Sequence, residues 1–269
     1  MIPPSIDPFS AKNEPISHRN VRLALSYVGL LDGNGNGDPP AVPFRRRDGS
    51  PGRINHHVDV VQSGPAPPAS APLVVQVSRW DAMKDMRGVL EGFSKYVDHA
   101  FGAHLVLAGP IVTGVADDPE AAQVHEDCVA RWRRLPHAVR GRVHLACLPM
   151  ADADENAAIT NALQRHASVV VQKSIAEGFG LTVAEAMWKS GAVVASAVGG
   201  IRDQITDGEP GVLIDDPHDL RGFGSAVERL LSDRAEAARL GANARVRALN
   251  EFPGDRHLEQ YCELFARLR

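Results

Sequence analysis

The stretch "KSIAEGFGLTVAEAMWKSG", Lys173 to Gly191, sets Glu177 and Glu185 on either side of Gly178-Phe179-Gly180, with seven residues between the acids. A helix starting near Leu181 places Glu185 about one turn inside it and Glu177 ahead of the turn, so the two do not form an acid–base dyad. The start of that helix offers backbone N–H groups without intrahelical partners and a partial positive charge. Gly178 and Gly180 let a ligand approach that backbone closely, and together these features make a phosphate cradle. In "SRWDAMKD", Arg79 and Lys84 follow an earlier apolar run and are expected to face the same crevice. Their charges suit a diphosphate and its stabilisation as a leaving group. Carboxylates accept hydrogen bonds from vicinal hydroxyls, so one glutamate suits a sugar and the other a ribose. Spacing alone leaves a plainer alternative open, with Glu177 favoured by the helix dipole and Glu185 an exposed helix acid.

The elements that position these residues begin at Leu73. From there short apolar runs alternate with amphipathic stretches, as βα units around a parallel sheet do. Strands are expected over 73–78, 104–109, 142–147, 168–174, 192–198 and 211–214, with helices over 87–99, 119–134, 155–166, 181–189 and 201–206. Right-handed crossovers make this an α/β, Rossmann-like doubly wound sheet, whose ligands sit beyond the carboxyl ends of the strands. Three helices are expected after Ile214, in "PHDLRGFGSAVERLLSD", "RAEAARLGANARVRALNEF" and "GDRHLEQYCELFARLR". Residues 1–72 are crowded with proline and glycine and read as a connector with one helix, in "SHRNVRLALSYVGLL", and little core. Residues 73–269 read as the ligand-binding domain.

Bulk composition narrows the function classes. In 269 residues, 29 Lys plus Arg against 33 Asp plus Glu give a formal net charge of −4, so no positive field recommends nucleic acid or an anionic membrane. Cys128, Cys147 and Cys262 lie far apart without metal-ligand spacing, which fits buried thiols in a reducing cytoplasm. No apolar run reaches the length of a membrane span. The Asp-x-Asp of "DADE", Asp152 and Asp154, could hold a divalent cation, but its place before a helix favours capping, and no metal is expected. The basic "RRRDGSPGR" and His56-His57 read as a solvated loop. Trp80, Trp132 and Trp188 read as core or rim residues.

The stretch "EGFGLTVAEAMWKSGAVVASAVGGIRDQITDGEPGVLI" resembles the Glu-x7-Glu signature of retaining glycosyltransferases of the family 4 type, which have the two-domain GT-B fold. "VSRWDAMKD" stands where that family carries an Arg…Lys pair, and the resemblance spans Leu73 to Arg269. A narrower resemblance, to the trehalose-synthesising and trehalose-phosphorylase-like branch, rests on "IPPSIDPFSAKN" at 2–13, "DDPE" at 117–120 and "VVVQKSIAEGFGLTVAEAMWK". There Gln172-Lys173-Ser174 replaces a more usual Pro-Ser.

What the resemblance implies is glucose transfer from a nucleotide donor, UDP- or ADP-glucose, to a sugar acceptor with retention of the α configuration, or the phosphorolytic reverse. Glu177 would contact donor-sugar hydroxyls, Glu185 the ribose, and Arg79 with Lys84 the diphosphate. Backbone groups of Gly178, Phe179, Gly180 and Leu181 would complete the pocket, main-chain groups of Leu148 to Met150 would hold the base, and Gly109, Gly199 and Gly200 would line the crevice. No cofactor beyond the donor is implied.

The resemblance breaks at the front. "IPPSIDPFSAKN" resembles the connector leading out of a first, acceptor-binding domain of roughly 150 residues or more, and the last helix resembles one that crosses back onto it, which leaves its apolar face without a partner. The chain is therefore expected to be the donor-binding half of a retaining hexosyltransferase. The alternatives are a non-catalytic or truncated nucleotide-sugar-binding module, and an NAD-dependent oxidoreductase. The absence of GxGxxG after the first strand weakens the last of these.

Overall fold

The structure is a computed structural model that describes residues 2–33, 42–112 and 119–267. In chain order its elements are α1 (His18–Tyr27), β1 (Pro43–Arg45), β2 (Pro51–Arg53), β3 (Asp59–Val61), β4 (Leu73–Val77), α2 (Met86–Tyr96), β5 (His104–Pro110), α3 (Pro119–Arg133), α4 (His137–Arg140) and β6 (Val143–Leu148). Then follow α5 (Ala153–His166), β7 (Val169–Gln172), α6 (Leu181–Trp188), β8 (Val193–Ser196), α7 (Ile201–Gln204), β9 (Val212–Ile214), α8 (Leu220–Ser232), α9 (Arg234–Glu251) and α10 (Gly254–Arg267).

The expected α/β fold is present. Seven strands run in the order β3-β6-β5-β4-β7-β8-β9, with β3 antiparallel at one edge and the other six parallel. Strand side chains alternate between two covered faces, which is why these runs read as continuously apolar. On β4, Val74 packs into a core with α2, α3 and α8, while Leu73 and Val75 point to the opposite face and pack with α1 and α5. On β7 and β8, Val170, Val193 and Ala195 pack with α6 and α9. The chain winds outward from β4 to β5 and β6, then returns to place β7 on the other side of β4. The crevice beyond the carboxyl ends of β4 and β7 is therefore the topological switch point, where an open parallel sheet takes its ligand.

The expectation that residues before Leu73 build little core is corrected. Val21, Ala24, Leu25, Val28, Leu30, Leu31, Ile54 and Val58 are buried in one cluster with α5 and the sheet, and β3 pairs with β6. Three-residue strands carry too little alternation to be read from periodicity. Two of them are also disguised by prolines, which edge strands tolerate. Gly52 on β2 is needed because a Cβ there would stand 2.5 Å from the Phe44 ring.

A second correction concerns the thiols, since Cys128 and Cys147 are buried but Cys262 is exposed. It lies on α10, a helix with no buried residue and with Leu258, Tyr261, Leu264 and Phe265 exposed. Asp117 and Asp118 of the "DDPE" stretch and part of the Gly/Pro-rich loop at 34–41 lie outside the described residues.

Candidate active site

The crevice is assembled from the loop after β4 and the loop after β7. Lys84 closes a short helical turn, and its Nζ lies 2.5 Å from Glu177 Oε2, with both side chains mostly covered. Ser174 Oγ donates to the same carboxylate oxygen at 3.2 Å. Ile175 N donates to Met83 O at 2.8 Å, which ties the two loops together through the main chain. Arg79 does not join this group. It is exposed and pairs at 2.9 Å with Asp81, so it stands on the rim beside Lys84 rather than facing inward with it.

Gly180 begins α6 in the left-handed region at φ +86, and no side chain caps the helix start. A residue with a Cβ is strained there, which explains the glycine, and the uncapped N–H groups remain available to an anion. Two glycines after β8 bring the neighbouring loop up against this turn. A Cβ at Gly199 would overlap the Glu177 carbonyl, and one at Gly200 would lie 2.6 Å from the Gly178 carbonyl. Gly200 N donates to that carbonyl at 2.8 Å, and Gln204 Nε2 donates to the Phe179 carbonyl. The carbonyls of Gly178 and Phe179 are thus engaged by α7. Gly109 likewise makes room for the Trp80 indole, whose Nε1 donates to Pro110 O at 2.9 Å.

Glu185 lies on the buried side of α6 rather than on an exposed one, which removes the plainer reading of an exposed helix acid. Its Oε2 is 2.9 Å from Lys12 Nζ. It lines a cleft of about 290 Å³ with residues 5–7 and 10–13, Arg47, Asp154 and Leu181. Glu177 and Glu185 therefore have different partners, Lys84 and Lys12. In the loop after β6, Met150 is exposed, Leu148 O accepts from Ile111 N at 2.9 Å and Pro149 O accepts from Asn156 Nδ2 at 3.0 Å.

Several residues at this site escaped the sequence reading. Lys173 is fully buried and pairs with Asp85, which also caps α2 by accepting from Gly88 N at 3.0 Å. Gln76 bridges the two loops, donating to Lys84 O at 2.7 Å and accepting from Lys173 N at 3.1 Å. Thr182 Oγ1 donates to Gln172 Oε1 at 2.9 Å, which locks the first turn of α6 to the end of β7. Lys12 and Asn13 were part of a quoted stretch but had no assigned role. The available signal was polarity where a strand should be apolar, since Gln172, Lys173 and Ser174 directly follow Val169-Val170-Val171.

Asp152 caps α5, accepting from Asp154 N and Glu155 N, and it pairs with Arg46 at 2.5 Å. The buried Glu155 accepts from Asn55 N, His56 N and His56 Nδ1, so part of the basic loop is fastened to α5 rather than freely solvated. Among the described residues no group of three or more His, Cys, Asp or Glu side chains is arranged to hold a metal ion. No helix among them is long and apolar enough to cross a membrane.

The mostly parallel sheet, with its switch point at β4 and β7 and helices on both faces, is that of a GT-B-like domain. The chain belongs to the family described as Glycosyl transferases group 1, whose model matches residues 63–247. It is similar to the trehalose synthase of Thermococcus litoralis, with 33% identity over 267 residues that cover 98% of this chain and 52% of that protein. The chain spans about half the length of the curated relatives it matches over nearly its whole length. Among solved structures, sucrose-phosphate synthase from Thermosynechococcus elongatus superposes with a TM-score of 0.61 at 28% identity, over 75% of this chain and 46% of that one. Anabaena HepE in complex with UDP-glucose superposes with a TM-score of 0.57 at 20% identity, over 74% of this chain and 49% of that one, a likeness of fold.

Proposed function

We propose that the crevice binds a nucleotide sugar, UDP- or ADP-glucose, and serves retaining transfer of its glucosyl group to a sugar acceptor, in the manner of a trehalose synthase. The observation that carries this reading is the Lys84–Glu177 pair set against the uncapped start of α6 at the switch point of the sheet. The donor diphosphate lies over the N–H groups of Leu181 and Thr182, Lys84 donates to a phosphate oxygen, and Arg79 leaves Asp81 to add a second charge. Glu177 then accepts from hydroxyls of the sugar, and Glu185 from those of the ribose. As the bond between the anomeric carbon and the phosphate oxygen breaks, negative charge grows on the diphosphate, where the cations and the helix start stabilise it. The acceptor and the second wall of a water-poor cleft come from an N-terminal acceptor domain, in the same longer protein or as a separate chain. The complex that HepE forms with UDP-glucose on the same fold supports the donor class.

Calorimetry of this chain with UDP, ADP, GDP and NAD tests the reading. One nucleoside diphosphate should bind and NAD should not, and Glu177→Gln and Glu185→Gln should each weaken binding of the matching nucleotide glucose. NAD binding alone, or unchanged nucleotide-sugar affinity in both variants, would overturn it. Binding without turnover even when an acceptor domain is supplied would leave a non-catalytic nucleotide-sugar module.

A further inference from the structure

A second cleft, of about 540 Å³, lies where α5 and α6 end, the opposite end of these helices from the crevice. Residues 8, 9 and 13–15 and α9 form its other walls, and Arg165, Lys189 and Arg245 line it with Phe9, Asn13 and Trp188. None of these three cations has a carboxylate within ion-pair distance among the described residues; their partners are neutral oxygens. Arg165 Nε donates to Asn161 Oδ1 at 2.8 Å, and its Nη2 donates to the carbonyls of Asn13 and Glu14 at 3.2 and 3.1 Å. Lys189 Nζ donates to Asn13 Oδ1 at 3.0 Å, Gln164 Oε1 at 2.9 Å and Glu185 O at 3.1 Å. Arg245 stacks on the Trp188 ring, 4.1 Å from its centroid, and Nη1 donates to Trp188 O. Glu14 and Arg45 also line the cleft, and Glu14 is engaged by Arg45, from whose backbone N it accepts at 3.2 Å.

Helix capping accounts for part of this arrangement, because Arg245 and Lys189 reach carbonyls in the last turns of α6 and cations are favoured there. It does not account for three cations gathered in one cleft with no carboxylate at ion-pair distance from any of them among the described residues. Burial, then the charge of Arg245, pulls the Arg165 guanidinium down, and burial pushes the Lys189 ammonium down to about 7, with Lys12, Arg165 and Arg245 adding to the effect against Glu185. Each cation is therefore at a higher free energy for the presence of the others. An anion in the cleft would relieve all three at once. The protein leaves Nη1 of Arg165 and Nη2 of Arg245 without hydrogen-bond partners among the described residues, and guanidinium edges fit phosphate oxygens.

We propose that this cleft is a binding site for the phosphate group of a small, soluble phosphomonoester, separate from the donor crevice and resting on Arg165 and Arg245. The proposal does not depend on the transferase reading. The cleft shares Asn13 with the Glu185 cleft, and Lys12, the next residue back, pairs with Glu185. Occupancy of one is thus one residue away from the other.

The test is calorimetric titration of the 269-residue chain with inorganic phosphate and with glycerol 3-phosphate at low ionic strength, with glycerol as the uncharged control. One phosphate should bind in this cleft. Arg165→Met and Arg245→Met should each weaken it about tenfold or more, the loss of one charge-assisted hydrogen bond, while Lys84→Met leaves it intact and lowers only nucleotide affinity. Glycerol 3-phosphate binding more tightly than phosphate would identify an ester site. Arg245→Lys, which keeps the charge and the fold, should fall between wild type and Arg245→Met, guarding against loss through misfolding. Phosphate binding untouched by both methionine variants, lost in Lys84→Met, or absent from the wild-type chain would overturn the proposal. Phosphate binding to a wild-type chain that binds no nucleoside diphosphate would leave it standing and sink the donor reading.

Discussion

The two ends of α5 and α6 treat positive charge in opposite ways. In the crevice each lysine has an acid, Glu177 for the partly covered Lys84 and Asp85 for the buried Lys173. In the cleft at the far end, Arg165, Lys189 and Arg245 meet only carbonyl and amide oxygens. Paired charges hold a geometry in place at the cost of competing with a ligand, whereas unpaired ones leave the site energetically incomplete. The crevice is thus preorganised, its two loops fastened by Gln76 and the Lys173–Asp85 pair before any ligand arrives. The cleft gains most from the anion itself.

The comparison breaks first at Lys173. Replacing it with Met leaves Asp85 unpaired beside a fully buried position, and urea unfolding should report a loss of about 3–5 kcal/mol. A change under 1 kcal/mol would mean that the pair fastens nothing. Next comes Lys84→Met, which should cost about 2 kcal/mol in nucleoside diphosphate affinity with little effect on stability, because the pair is partly open to water. Gly199→Ala should lose about 1–3 kcal/mol of stability and misplace Glu177, seen as weaker sugar recognition than nucleotide recognition; equal losses would argue against a specific effect on Glu177. Lys189 supplies a pH signature. With the native ammonium pushed down from 10.5 to about 7, the unfolded chain binds more protons between those values. Stability should therefore rise with pH across that window, and Lys189→Met should flatten the rise. The smallest effect is expected for Arg79→Met on the rim, about 1 kcal/mol or less in nucleotide affinity, read by the same calorimetry.

Much of this architecture was legible in the sequence because six strands are apolar runs long enough to punctuate the chain, and because glycines mark the turn before α6. What stayed hidden was set by contacts across long sequence separations. Nothing in the spacing of Lys12 and Glu185, or of Asp85 and Lys173, announces that they meet. Strands β1 to β3 were hidden because, unlike the equally short but wholly apolar β9, their three residues mix polar residues or prolines with apolar ones. They become strands because a neighbour offers an edge, a tertiary cause that local pattern does not carry. The two cationic clusters differ in the same way. Arg79 and Lys84 sit together in sequence and were read together, yet only Lys84 faces the crevice, while Arg165, Lys189 and Arg245 come from three separate elements and converge only on folding.

The packing of α1 against α5 also sets a clock on biosynthesis. The apolar stripe of Val21, Ala24 and Leu25 is made before much of its cover, with Ile159 and Leu163 on α5 translated well over a hundred residues later. At translation speeds of about 5–20 residues per second, that stripe waits on the order of 10 s. During that interval the nascent chain carries an unburied amphipathic helix, the kind of surface that holdase chaperones shield.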